Sequence, residues 1–255
     1  MDTIISDEIG VQYAVMGHYR LHTLYRQVFA SHVAGLLSPL ALQAELVVSR
    51  DGVPVSERVE ADRQIGLQLA IRNLAQSDGA ELDLFVDLPD GQGAIDDLAD
   101  ELAAAELEPS RVTVFLDSAE EAVALRLRET GVNLGLAARL NDEKLADSFA
   151  ACAPQTIRID GDWLRRAAGS RELSALLRRF METCRDARAN VFANDIGEAY
   201  VLTYALELGV DFLAGEALRP AQAPGAAMDL EPLATEGLKA GADNVVPFAR
   251  RQSII

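Results

Sequence analysis

Three histidines, two cysteines and a block of arginines are the residues in which chemistry would first be sought. His18 and His22 stand four apart, a spacing that would put both on one face of a helix, so a metal pair would form there if His32 supplied a third ligand. No carboxylate or cysteine accompanies them at zinc spacing, which favours packed or solvated histidines. Cys152 and Cys184 are too few and too far apart for a disulfide framework or a thiolate metal site, and they point to a reduced compartment. Gly91 and Gly93 lie in the run DGQGA without the rest of either nucleotide-binding fingerprint. Neither a GxSxG elbow nor an HExxH helix occurs. Trp163 and the few other aromatics read as core rather than as a base-stacking platform.

The 255 residues carry 40 acidic and 23 basic side chains, for a formal net charge of −17, and 49% of them are hydrophobic. That provides for one large α/β domain or two small ones and argues against global disorder. An excess of acid argues against binding nucleic acid or an anionic membrane through the bulk field, because such binding rests on cationic groups. The charge is uneven. Ala80 to Ala124 holds thirteen acids and one base, Arg111, whereas Arg158 to Arg188 holds eight arginines against five acids. Solvated helix faces explain this simply; an interface with a basic partner, or steering between copies, is the sharper alternative. The most apolar stretch, residues 33–48, is broken by Ser38, Pro39, Gln43 and Glu45, and MDTIISDEIG carries acids where a secretory signal carries bases. A cytoplasmic protein without membrane insertion is expected.

Any site must be positioned by short apolar runs that alternate with amphipathic stretches. Strands are predicted at Leu42–Val48, Leu82–Leu88, Val112–Leu116, Asn133–Ala137, Thr156–Ile159, Asn190–Ala193 and Asp211–Ala214. Helices are predicted at Arg58–Leu74, Ile95–Ala105, Ala119–Glu129, Asp142–Ala150, Asp162–Arg185 and Gly197–Leu208. Strands buried on both faces, each followed by a helix, close most economically into a TIM-type α/β barrel at this length. An open doubly wound sheet is the alternative. Leu21, Leu24, Tyr25 and Val28 recur at helical spacing, so an N-terminal helix is expected to run into an edge strand. After Pro220 a short helix near Leu230–Lys239 and an arm, NVVPFARRQSII, are expected. The resulting division is an extension over 1–24, a barrel over 25–220 and a short helix with a tail over 221–255.

The stretch GVNLGLAARLNDEKLADSFAACAPQTIRID, from Gly131, resembles without a gap an EAL-domain segment that passes a paired-aspartate loop and ends in Lys-Ile-Asp, here Arg158-Ile159-Asp160. ANVFANDIGEAYVLTYALELGVDFLAGEALRP is similar to the closing part of the same domain, with Leu208-Gly209, Gly215 and Arg219-Pro220 in register. Upstream, AELVVSRDG resembles the signature strand, with Glu45-Leu46-Val47 at the Glu-Ala-Leu triplet. LFVDLP and VTVFLDS resemble the next two strands. The resemblance covers residues 25 to 220 and implies the barrel that, in active members, hydrolyses cyclic di-GMP with two divalent cations.

Carried across residue by residue, the family's ligands are mostly gone. Glu45 is kept; Asp87 replaces an asparagine, and Val114 stands at a glutamate. Ala137 and Ala138 stand at the paired aspartates. Arg158 replaces a lysine, Asn194 and Gly197 two glutamates, and Ala214 a glutamine. Two metals polarise a bridging water only where oxygen ligands converge, so a degenerate domain with no catalytic residue, metal or cofactor is expected. The resemblance implies that receptors of this kind hold the dinucleotide through an arginine shortly after the signature triplet; that position is Ser49 here, with Arg50 one residue on and so on the other face of a strand. Arg139 and Arg158 are further ligand-binding candidates, although Arg158 is read first as a partner for Glu45 or Asp87. The expected function is regulation of bacterial signalling, motility or the cell cycle through a protein partner. A metal-independent cyclic di-GMP receptor is the alternative, an active phosphodiesterase a third reading, and a homodimer fits any of these.

Overall fold

The computed structural model describes residues 3–55, 62–89, 93–117, 121–139 and 145–240. Among these, the chain begins with β1 (Thr3–Ser6), β2 (Gln12–Met16), β3 (Tyr19–Val33), β4 (Leu36–Arg50) and β5 (Val53–Pro54), each antiparallel to the one before. Helix α1 (Asp62–Arg72) and a 3-10 turn at Leu74–Gln76 lead to β6 (Asp83–Asp87). Then follow α2 (Ala94–Ala104), β7 (Val112–Leu116), α3 (Glu121–Thr130), β8 (Asn133–Ala138), α4 (Leu145–Cys152) and β9 (Thr156–Asp160). Helices α5 (Gly161–Gly169) and α6 (Arg171–Asp186) precede β10 (Asn190–Asn194), α7 (Ala199–Leu208) and β11 (Phe212–Leu213). Strand β12 (Leu233–Ala234) and α8 (Thr235–Ala240) come last.

Eight strands close a barrel in the order β3, β4, β6, β7, β8, β9, β10, β11 and back to β3. Strands β4 and β6 to β11 are parallel, whereas β3 runs antiparallel to both neighbours, β4 and β11. The barrel is therefore as expected, with one reversed stave. Its interior is packed by Val28, Ala41, Phe85, Phe115, Phe192, Phe212 and Ala214. The Phe85 ring lies 5.5, 5.3 and 6.2 Å from those of Phe115, Phe192 and Phe212, each near edge-to-face. Outward residues of the same strands form two further cores against the helices. That is why β7, VTVFL, is buried at every position.

The expected N-terminal helix is not there. Tyr19–Val33 is one fifteen-residue strand, and its first half alternates in burial with period two: Leu21, Thr23 and Tyr25 are buried while His22 and Leu24 are partly exposed. Beyond Tyr25 both faces are covered, so buried residues at 21, 25 and 28 mimic a helical repeat by coincidence. Pairing with β4 along nearly its whole length decides the matter. The single helix predicted over Asp162–Arg185 is two. Ser170 adopts an extended backbone (φ −135°, ψ 123°), and its hydroxyl accepts a hydrogen bond from the Leu173 amide, capping α6. Past Pro220 a strap holds the barrel side: Gln222 pairs with Tyr25, and the Arg219 guanidinium binds the Gln27 side chain, Asp229 and the Glu231 carbonyl. The helix predicted near Leu230–Lys239 starts at Thr235, after β12. The arm NVVPFARRQSII lies outside the described residues.

Candidate functional site

At the C-terminal ends of the parallel strands a cleft of about 250 Å³ opens between β4 and β6, beneath α1. Glu45, Asp87, Phe115, Asp117, Arg139 and Arg158 line its mouth. Ala44, Leu46, Leu67, Val86 and Thr23 also line it. Barrel strands alternate inward and outward side chains. Position 87 on β6, 115 on β7 and 158 on β9 therefore all project into the mouth.

The charges there are cross-braced. Arg158 donates from Nη2 to Asp87 Oδ1 at 2.6 Å, and its guanidinium carbon sits 4.6 Å from the Phe115 ring centroid. The Arg158 side chain is only 13% exposed and is packed against Asp87 and Phe115. Glu45 is taken by a residue the sequence reading missed. Arg26 of β3 donates from Nε to Glu45 Oε1 at 2.5 Å and from Nη2 to Oε2 at 3.3 Å, while its Nη1 reaches Glu216 Oε1 at 2.9 Å. Burial works against the Arg26 charge, but the bonds to Glu45 and Glu216 outweigh it and hold the guanidinium above its ordinary pKa. Arg139 Nη2 lies 3.0 Å from Asp117 Oδ1 at the rim. Arg26 did carry a signal: it sits two residues before Val28, on the strand face that meets the interior, where an unpaired arginine is not tolerated.

The remaining candidate positions fall as follows. Ala137 is buried opposite Arg158 in the β8–β9 register. Ala138 faces the helices and packs in the core around Ile157 and Ile159. Val114 also turns outward into a helix-facing core, so the β7 side chain in the mouth is Phe115, which is opposite Asp87 in register. Asn194 ends β10 and donates to Asp195 Oδ2 at 3.1 Å; Gly197 is exposed before α7; Ala214 is sealed among the phenylalanines of the interior. Arg50 does not join the cleft: it is exposed at the end of β4, 6.0 Å from the Tyr19 ring. His22 and His32 lie in β3 and His18 in the turn before it, so no helical face brings them together. Four residues of strand span about 13 Å, too far for one metal. Among the described residues no three His, Cys, Asp or Glu side chains converge on a metal position, and no helix is long and apolar enough to cross a membrane.

The EAL domain family model matches residues 43–221. The chain belongs to the EAL domain family. Solved structures with the same fold include the PaMucR phosphodiesterase in its c-di-GMP complex, 14% identical over 80% of this chain and 92% of that one, with a TM-score of 0.68. The FimX EAL domain of Xanthomonas citri with c-di-GMP is 16% identical over 83% and 91%, with a TM-score of 0.66. The EAL domain of Mycobacterium smegmatis DcpA is 14% identical over 89% and 100%, with a TM-score of 0.65. No curated protein sequence matches.

The mouth of this EAL domain does not fit the paired divalent cations that the resemblance implies for active members. Ala137, opposite Arg158 in register, offers no lone pair, and Phe115 presents a ring beside Asp87. Glu45 and Asp87, the two carboxylates that the resemblance would place among the ligands, are paired with Arg26 and Arg158. A cation placed there would have to displace a guanidinium that is itself nearly buried.

Proposed function

We propose that this EAL domain is a non-catalytic regulatory module of cyclic di-GMP-linked bacterial signalling, acting through contact with a protein partner. The observation that carries the reading is the Arg158–Asp87 pair stacked at Phe115, which puts a fixed positive charge where metal-dependent hydrolysis needs divalent cations. Incubation of the purified chain with cyclic di-GMP and magnesium or manganese should yield no linear dinucleotide above the protein-free control. Sustained metal-dependent turnover would falsify the reading. Affinity capture from a native lysate should then recover a defined protein, and capture of nothing by the full chain argues against the scaffold role.

A second reading is a metal-independent cyclic di-GMP receptor. It is favoured by Arg139 and Arg158 on the wall of one cleft, Arg139 with its side chain 67% exposed and so able to leave Asp117 for a phosphate. Titration calorimetry without metal separates the two: saturable heat that Arg139→Ala abolishes supports the receptor.

A further inference from the structure

We propose that this chain binds a second copy of itself head to tail, the exposed face of α3 in one copy seating on the exposed face of α6 in the next. The pattern lies in one ridge of each helix. On α3, Glu121, Leu125 and Glu129 follow one another at four-residue intervals, and all three are exposed, Leu125 by 50%. On α6, Arg171, Ala175 and Arg179 stand at the same intervals and are likewise exposed, with Leu176, 51% exposed, beside them. At the rise of an α-helix the outer charges of each ridge are about 12 Å apart. The ridges therefore match in sign, spacing and size: two carboxylates meet two guanidiniums, and the large side chain between the former meets the small one between the latter.

A helix that is merely solvated gains by setting opposite charges four residues apart, whereas each of these ridges carries one sign at both ends of an apolar residue. None of Glu121, Glu129, Arg171 and Arg179 has an ion-pair partner among the described residues. The bases of α3 are already engaged: Arg126 binds Asp96 Oδ1 of α2 at 2.8 Å, and Arg128 donates to the Cys152 carbonyl at 2.6 Å. Asp100, exposed one turn beyond Asp96, extends the acidic side. On α6 the buried stripe is Leu177, Met181 and Cys184, so the arginine ridge is turned away from the barrel. Arg178 and Arg185 keep the exposed side of that helix net positive against Glu172, Glu182 and Asp186. Helix α3 follows β7 and α6 follows β9, with β8 and α4 between them, so the two ridges do not meet within one copy. The contact joins two different faces and is heterologous, which leaves a free α3 face at one end of a pair and a free α6 face at the other. Exposed ion pairs contribute little each, so the association is weak and sensitive to salt. Neither ridge contributes to the cleft at the barrel mouth.

The test is sedimentation velocity of the full chain up to about 100 µM, at about 50 mM and about 500 mM salt. The parent should sediment faster as its concentration rises at low salt, and as a monomer at high salt. Two double variants change only exposed residues: Glu121→Lys with Glu129→Lys, and Arg171→Glu with Arg179→Glu. Each alone should weaken association by about tenfold or more, because it sets like charges opposite one another. An equimolar mixture should restore it, since each variant then meets a ridge of opposite sign. That restoration is the deciding arm, because an unfolded variant cannot supply it. A parent that stays monomeric at about 100 µM and low salt leaves both ridges to a foreign partner and overturns the proposal. A variant that self-associates like the parent, or a mixture that stays monomeric, overturns it equally.

Discussion

Arg26 and Arg158 divide the carboxylates of the barrel mouth between them, and their burial makes the two pairs unequal. Arg26 is 8% exposed and serves both Glu45 and Glu216, whereas the Asp87 partner of Arg158 has a 59% exposed side chain and is screened by water. Arg26→Ala should therefore cost about 2–3 kcal/mol in urea unfolding, and Arg158→Ala about 1 kcal/mol, most of it from the lost stacking on Phe115. The reverse ranking would show that the mouth is braced otherwise. His22 gives a pH signature. Its folded pKa is lowered by burial and by Arg20, so the unfolded chain takes up the proton first. The stability tied to neutral His22 is thus present above the unfolded value, about 6.5, and is lost as pH falls through and below it. The melting temperature of His22→Gln should drop less than that of the parent between about pH 7.5 and 5.5. Parallel drops would mean that His22 is not desolvated.

Among the elements, β7 and β8 show how tightly the barrel is filled. A Cβ added at Gly135 would meet the Phe115 ring at 2.5 Å, with which Gly135 is in register, so the glycine exists to make room for the ring. Gly135→Ala should destabilise by about 1–3 kcal/mol, and combining it with Phe115→Leu should recover about 1 kcal/mol or more of the summed single costs. Strict additivity in thermal melts would rule out that contact. The same pair shows what hydropathy leaves open in β7. A run in which all five residues are buried gives no alternation in hydropathy, so nothing local says that Phe115 turns inward and Val114 outward. For β3, burial on both faces similarly disguised a strand as a helix. Strands β6 to β10 were nonetheless legible as strands, because each is a short apolar run followed by a helical stretch.

At the scale of the molecule, the uneven charge of the sequence becomes a difference between sides of the barrel. Acidic α2, with Asp96, Asp97, Asp100 and Glu101, follows β6, whereas α6, with Arg171, Arg178, Arg179 and Arg185, follows β9 three staves along the ring. Glu101 is the exception to a solvated acidic face: it is buried and held by both Nε and Nη2 of Arg72. The helix-facing cores also enclose both thiols. Cys152 and Cys184 are fully buried, and burial, then Asp211, push the Cys184 thiol up to about 12. Neither should react with a disulfide reagent at pH 8 until the barrel opens, so labelling should follow the global unfolding rate. Rapid modification of the native protein would show that these cores open locally.

Side-chain types and their order were enough to establish much of this. The alternation of apolar runs and amphipathic stretches points to an α/β barrel, with an open sheet as the alternative, and an alanine at 137 or 138 offers a cation no lone pair wherever the fold places it. The closure by a reversed β3 and the choice of Glu45 for Arg26 and Asp87 for Arg158 were decided by tertiary structure. Arg26 and Glu216 are 190 residues apart, and Arg158 and Asp87 are 71 apart. Local propensity says nothing about such pairs; they follow from the register in which the eight strands close, and that is set by packing the whole ring at once.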